Sequence, residues 1–382
     1  MRVLVLNAGS SSLKASVIDD GETLLRTSVS WGGDATRAAD RSSGVASILD
    51  ALRRERVDTG SIGAVGHRVV HGGARFAAPV AVDGAVLDSL EVLGDLAPLH
   101  NAVAVETIRA ALDALPGMPQ VACFDTAFHA TLPEPMARYA VPAAWHDDWG
   151  IRRFGFHGLS VAWAVERAGL LLGRPTGELG LVVAHLGSGC SVTAVEGGRS
   201  VSTSMGFTPL EGLMMGTRAG SLDPGILLHL LRTERIDVEE LADTLDHRSG
   251  LRGVSGRSAD VRELESLADA GDDRASLALE MFVTRAAAGI AAAAVALRRL
   301  DAVVFTGGIG EHAGRVRAAI VGRLGVLGLR PVAMDETGHD RVLPHGDDET
   351  TASAEPAPIV LRIEAREDLV IARAVTEHVR TA

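Results

Sequence analysis

Lysine is almost missing from this chain of 382 residues: of 37 basic residues, 36 are arginine and one, Lys14, is lysine. Side-chain amides are as scarce, with two asparagines, Asn7 and Asn101, and one glutamine, Gln120. Where a composition disfavours a residue type, the survivors deserve inspection, and Asn7 and Lys14 flank one Gly-Ser-rich turn. Cysteine is limited to Cys123 and Cys190, with no CxxC pair. Two thiols exclude a disulfide framework and fit a reducing cytoplasm. Long apolar runs are missing too. Val3–Leu6 is too short for a signal peptide. The alanine-rich stretch Ala286–Leu297 is too short for a bilayer and reads as a core helix. An excess of positive charge is also lacking. The formal net charge of −12 argues against a nucleic-acid or anionic-membrane binder.

The length predicts two domains, and 47% hydrophobic residues are enough for two cores. Helices are expected at Ser43–Arg56, Pro98–Leu115, Leu159–Leu172, Asp260–Ala268, Asp272–Leu300, Gly314–Leu324 and Glu367–Val379. Strands are expected at Ile62–His67, Gln120–Phe124, Val303–Thr306 and Ile359–Ile363, which interleave with the helices and give an α/β class. Val3–Leu6, the turn after Asn7 and Leu13–Ile18 read as strand-turn-strand. Leu181–Ala184, the turn His185-Leu186-Gly187-Ser188-Gly189 and Cys190–Val195 repeat that unit half a chain later, with Asn7, Gly9 and Ser10 matching His185, Gly187 and Ser188. Two unrelated hairpins are the alternative to a duplication. The segment Thr337–Pro358 reads as a surface excursion.

The turn Asn7–Lys14 suits phosphate and metal: small residues let backbone N–H groups approach, Asn7 suits the shell of a Mg²⁺, and Lys14 would neutralise a terminal phosphate. It is not a Walker loop, since no GxxxxGK[ST] occurs. The turn Gly307-Gly308-Ile309-Gly310-Glu311 follows a strand and precedes a helix, a ready nucleotide contact, and loosely fits a dinucleotide pattern. Arg68 stands at a strand end and Arg218 between glycines, settings in which a guanidinium fork reads a carboxylate or a transferring phosphoryl group. Asp125 ends a strand and His157 precedes a helix. A capping or packing histidine and a surface arginine are the plainer alternatives.

These segments together resemble the acetate and propionate kinase family, nearly end to end and in order. The resemblance rests on NAGSSSLK (Asn7–Lys14), GHRVVHGG (Gly66–Gly73), PLHN (Pro98–Asn101), FDTAFH (Phe124–His129), RRFGFHG (Arg152–Gly158), HLGSG (His185–Gly189), MGFTPLEGLMMGTR (Met205–Arg218), GVSGRSADVR (Gly253–Arg262), GGIGE (Gly307–Glu311) and EDLVIAR (Glu367–Arg373). It implies two similar domains of the actin-like, sugar-kinase and heat-shock ATPase (ribonuclease H-like) superfold facing across a cleft. Residues 1–150 with 368–382 would carry the acyl substrate and a phosphate loop, and 151–367 the nucleotide. The implied activity is reversible transfer of phosphoryl from ATP to acetate.

By the same resemblance, Asn7 and Glu367 look like residues for Mg²⁺ (or Mn²⁺), Lys14 like an ATP phosphate contact and Arg68 like the reader of the substrate carboxylate. Asp125, His157 and Arg218 look catalytic. Val70, Leu99, Phe156 and Pro209 would line the acyl tail of acetate or propionate. His185, Leu186, Gly187, Ser188 and Gly189, then Asp260, Val261 and Arg262, then Gly308, Ile309, Gly310, Glu311 and His312, would contact ATP or ADP. A cytoplasmic homodimer is implied. The chain departs from the family at Ser188 (usually Asn), Val161 (usually His), Ala219-Gly220-Ser221 (commonly Ser-Gly-Asp) and Arg366 beside Glu367. Another kinase or phosphatase of the superfold would place polar residues in the acyl pocket, and a silent nucleotide binder need not keep all the charged residues.

Overall fold

The computed structural model describes residues 1–9, 12–30, 38–96, 98–334, 339–344 and 357–381, and of residues 38–40, 95–96 and 98–100 the backbone alone. Two compact units emerge, one of Met1–Ala130, Phe156–Leu159 and Arg366–Ala382, the other of Thr131–Gly155 and Ser160–Ala365. Residues 131–150, expected with the first unit, cluster with the second. Hydrogen bonds tie that segment to the second unit: Thr131 Oγ1 donates to Ser200 O at 3.0 Å, and Ala137 O accepts Arg153 N–H at 2.7 Å.

In the first unit, β1 (Arg2–Ala8), β2 (Ser12–Asp19) and β3 (Glu22–Ser30) form an antiparallel meander. β4 (Ile62–Val69) lies parallel to β1. The two-residue β5 (Val80–Ala81) pairs antiparallel with β6 (Gln120–Phe124), which lies parallel to β4. β1 is buried on both faces, as parallel strands between helices are. Leu4 and Leu6 join a core with Ile48 and Leu52 of the helix Ala38–Arg54 and Ala111 of the helix Pro98–Ala114. Val3 and Val5 join another with Ile371 and Val375 of the helix Glu367–Thr381. This terminal helix lies so close to the sheet that a Cβ on Gly66 would stand 2.6 Å from Ile371 Cγ2 and 2.8 Å from Val375 Cγ2. Only glycine allows that approach.

The second unit repeats the plan. β7 (Gly180–Leu186), β8 (Cys190–Glu196) and β9 (Arg199–Thr203) form a meander, and β10 (Ala302–Thr306) lies parallel to β7. The short β11 (Arg341–Val342) pairs antiparallel with β12 (Ile359–Arg362), which is parallel to β10. Strand orders β3-β2-β1-β4-β6-β5 and β9-β8-β7-β10-β12-β11 correspond one to one. The duplication expected from two turns thus extends to whole sheets. Asn7 pairs with Lys14 across one hairpin and His185 with Ser191 across the other.

The helix Asp273–Ala294 starts where Asp272 accepts the N–H groups of Arg274 and Ala275. It stops short of Leu300 because the chain must turn for Asp301 N–H to reach Gly180 O and Gly180 N–H to reach the Asp301 carboxylate, both at 2.8 Å. By length and hydropathy it matches a membrane span. Its buried Phe282, Ala286, Ile290 and Ala293, however, recur at helical spacing, the mark of a core helix. β3, β9 and the helices Gly84–Val92, Pro224–Arg232 and Val238–His247 go beyond the sequence expectations. β3 alternates exposed and half-buried residues throughout and so carries no apolar run. Most of 337–358 lies outside the described residues.

Two imidazoles of the first unit are buried and neutral. Burial pushes His67 down to about 4, against a hydrogen bond to Gln120 Oε1 at 2.7 Å, and pushes His129 down to about 4, against its bond to Phe156 O at 2.9 Å. The folded state therefore binds fewer protons than the unfolded one between about pH 4 and the unfolded histidine pKa of about 6.5. Stability should fall as pH drops through that window, by on the order of 1–3 kcal/mol per imidazole. Melting temperatures measured from pH 7.5 to 4.5 should fall more steeply in the wild type than in His67→Gln, and equal slopes would show that His67 does not carry the effect.

Candidate active site

The carboxyl ends of β1, β4 and β6 and the first residue of the helix Glu367–Thr381 bring four polar side chains together. Arg68 lies one residue past the Leu6–His67 pair of β1 and β4, alongside Asn7. Its guanidinium forks onto Asp125, with Nε 3.0 Å from Oδ1 and Nη2 donating to Oδ2. Nη1 donates to Asn7 Oδ1 at 3.2 Å, and Glu367 Oε2 lies 3.4 Å from both Arg68 Nε and Asn7 Nδ2. Asp125 is 1% exposed and Arg68 18%. Burial alone would make the guanidinium easier to deprotonate. The charges of Asp125 and Glu367 and the hydrogen bonds to Asp125 outweigh it, and the net direction is up. Of the five N–H groups of a guanidinium, three bond Asp125 and Asn7, and two take no hydrogen bond among the described residues and can meet an incoming anion.

Lys14 is exposed on β2 directly opposite Asn7, so the two side chains share a face. Ser10 and Ser11 lie outside the described residues. Arg366 does not turn its charge toward Glu367: its Nε donates to Asp368 at 3.0 Å and its Nη2 to Thr23 Oγ1. His157 has φ 59, a left-handed conformation that costs a non-glycine residue roughly 1–2 kcal/mol. The next N–H, of Gly158, donates to Asp125 O at 2.8 Å, which ties the histidine segment to the Asp125 strand end.

Of the expected acyl wall, Val70 is 9% and Phe156 1% exposed, both in this unit. His71, after Val70, meets the Phe156 ring edge-on at 5.3 Å. The Leu99 side chain lies outside the described residues. Two residues without an expected role hold this segment. The amide of Asn101 accepts from His71 N–H at 3.1 Å and donates to His71 O at 2.9 Å, and Thr126 Oγ1 accepts from Gly72 N–H at 3.0 Å. For Asn101, rarity was the signal in the sequence; Thr126 was marked by its place in FDTAFH alone.

In the second unit the register of β7 and β10 sets Thr306 beside His185, so the turns 187–189 and 307–311 leave neighbouring strand ends. Gly307–Glu311, expected as a turn ahead of a helix, is itself the start of the helix Gly307–His312. Buried Arg317 caps that helix through the carbonyls of Gly310 (2.9 Å) and Glu311 (2.8 Å). Ser188 is exposed, and its carbonyl accepts Gly216 N–H at 3.1 Å. Ala259, next to Asp260, packs beside Gly216.

Leu186 and Val261 are buried in the core and offer a ligand only backbone. Glu311 Oε1 accepts Ala365 N–H at 2.9 Å, whereas Gly308 and His312 are exposed. Asp260 caps the helix Val261–Asp269, and the hydrogen bonds and charge of Arg262 hold its carboxyl low. Arg218 donates to Pro209 O at 3.4 Å and lies 3.5 Å from Asp246. Burial lowers its pKa, offset in part by Asp246. Val161 is fully buried. Burial also pushes both thiols, Cys123 and Cys190, up to about 12, so neither is a nucleophile at neutral pH.

Among the described residues no group of three or more His, Cys, Asp and Glu side chains forms a metal cluster. The donor types at the first strand ends still suit a hard cation: an amide oxygen from Asn7 and carboxylates from Glu367 and Asp125.

Residues 2–373 match the Acetokinase family. An acetate kinase of Deinococcus radiodurans is 46% identical over 390 residues, covering 98% of this chain and 97% of that protein. One from Gloeobacter violaceus is 43% identical over 412 residues, covering all of both. Among solved structures, the acetate kinase of Porphyromonas gingivalis superposes with a TM-score of 0.85 at 32% identity and 99% coverage of each chain. A propionate kinase of Francisella tularensis gives 0.85 at 35% identity and 98% coverage of each. With the family matched over residues 2–373 and relatives of this identity aligned nearly end to end, the chain belongs to the acetokinase family.

Proposed function

We propose that this protein is an acetate kinase, which moves the γ-phosphoryl group of ATP to acetate and yields acetyl phosphate and ADP, reversibly. The observation that carries the reading is Arg68, held by Asp125 and Asn7 with two N–H groups that no described residue takes, in the same unit as the buried apolar Val70 and Phe156. A short carboxylate with an apolar tail complements that pairing. Acetate is ionised at neutral pH, so it attacks the γ-phosphorus without a base. The new bond is carboxylate oxygen to phosphorus, the bond broken is to the β,γ-bridging oxygen, and ADP leaves with that electron pair. No proton moves.

Asp125 accordingly acts as the orienter of Arg68, since both its oxygens face that guanidinium. Lys14, His157 and Arg218 would carry the charge of the transferring phosphoryl group. Asn7 and Glu367 would hold Mg²⁺, or Mn²⁺ on the same oxygen donors, which when bound supplies neutralisation of phosphate charge. The turn His185–Gly189, Asp260–Arg262 and Gly308–His312 would take the nucleotide, with Leu186 and Val261 through backbone alone. Val70, Leu99, Phe156 and Pro209 would select acetate over longer acids, propionate being the nearest competitor. We place the enzyme in the cytoplasm as a homodimer. Hydroxylamine trapping of acyl phosphate from ATP and a panel of short carboxylates tests the reading; no trapped product with any of them would end it.

Arg68→Lys keeps the charge and loses the fork. The carboxylate KM should rise on the order of a hundredfold, as expected for charge-assisted bonds, while the KM for ATP stays within a fewfold. Equal rises in both would remove Arg68 from the carboxylate. Val70→Ala opens the acyl wall by about two methyl groups and touches no charge. Preference should move from acetate toward propionate or butyrate by about tenfold per methylene. If kcat/KM for the three acids moves in parallel, Val70 does not face the acyl chain.

A further inference from the structure

The second unit contains the chain's single tyrosine, Tyr139, which none of the roles above uses. Its hydroxyl donates to Glu211 Oε2 and accepts Phe207 N–H at 2.8 Å. Glu211 Oε1 accepts from Arg153 Nη2 at 2.7 Å. Arg153 Nη1 donates to the carbonyls of Ser204 and Met205, both at 3.0 Å, and its guanidinium lies 5.2 Å from the centre of the Tyr139 ring. Phe154 and Gly155 N–H groups both reach Gly206 O, at 3.0 and 3.3 Å. No space remains at Gly206: a Cβ there would stand 1.8 Å from Glu211 Oε2 and 2.2 Å from the Tyr139 hydroxyl oxygen. Burial, and next the bond to Glu211, hold the phenol above its ordinary pKa, so it stays a donor.

This network clamps the chain at residues 204–207 and again at Glu211. Between the clamps lie Thr208, Pro209 and Leu210, and the Pro209 carbonyl accepts from Arg218. A pocket distinguishes acids one methylene apart only if its wall resists being pushed back. A short loop between Gly206 and Gly212 would give way unless both ends were fixed. We propose that Tyr139, with Glu211 and Arg153, is a positioning residue that fixes Pro209 and thereby sets the acyl chain length the enzyme prefers. The proposal rests on the acetate kinase reading and on Pro209 as part of the acyl wall.

The test is kcat/KM for acetate, propionate and butyrate, with the KM for ATP, in the wild type, Tyr139→Phe, Gly206→Ala and the double variant. Tyr139→Phe keeps the ring and removes one hydroxyl. Selectivity between the best and worst acid should shrink about five- to tenfold, with the ATP KM within twofold and a melting temperature near that of the wild type. Gly206→Ala forces the same bond apart from the other side and should shrink selectivity equally. The double variant should be no worse than either single one, because both break one link. Unchanged ratios, a loss shared equally by all three acids and ATP, or fully additive losses would each overturn the proposal. A wild type inactive on every acid would remove the kinase reading and the proposal with it, whereas an active wild type with unchanged ratios in the variants removes the proposal alone.

Discussion

A guanidinium mostly withdrawn from water has to be answered by charge and by hydrogen-bond acceptors, and in the first unit the answer to Arg68 organises everything around it. Asp125 meets it with both oxygens, Asn7 with its amide, and Glu367 with a second carboxylate. Leaving such an ion without its partner costs about 3–5 kcal/mol, so the elements that supply the partners must arrive in register. Three parallel strand ends do this. The Asp125 backbone is fixed by its N–H to Val69 O and its carbonyl to Gly158 N–H. The terminal helix that brings Glu367 packs against Gly66, two residues before Arg68 on β4. The site and the core of this unit are one construction.

Much of this was legible in the sequence because rarity and chemistry coincide. In a chain with three side-chain amides, Asn7 bonds Arg68 and Glu367, Asn101 clips the backbone of His71, and Gln120 holds His67. The motif segments gave the charged residues, and apolar runs gave the central strands. Other features had no signal in one dimension. β3 has no apolar run, and its alternation is between exposed and half-buried residues with none fully buried. Arg366 is next to Glu367 in sequence, but its side chain faces Asp368 of the terminal helix and Thr23 of β3, partners that only folding supplies. Tyr139 and Glu211 stand 72 residues apart, and only folding makes them one network.

The two sheets show how one scaffold carries different chemistry. Strand order and pairing sense are common to both, so the turn after the first strand leaves each sheet in an equivalent place. In one copy the turn is bracketed by the Asn7–Lys14 pair, an amide and a cation. In the other it is bracketed by His185–Ser191, with His185 Nδ1 at 2.8 Å from Ser160 Oγ. Backbone geometry is set by the sheet, and the polarity of each turn by two or three side chains. The same strand plan thus carries different side chains at its two turns, an amide and a cation in one and an imidazole and a hydroxyl in the other.

The isolation of Lys14 has a consequence for covalent chemistry. Guanidinium groups remain protonated at any physiological pH and do not act as nucleophiles, whereas an amine with an accessible lone pair does. An acyl phosphate is an acylating agent, and a kinase that releases one is continually exposed to its own electrophile. Here the arginine-rich surface is inert to it. Lys14 is the single side-chain amine that the reagent can find. Among the side chains, amine acylation is confined in this chain to one address, and that address stands opposite Asn7.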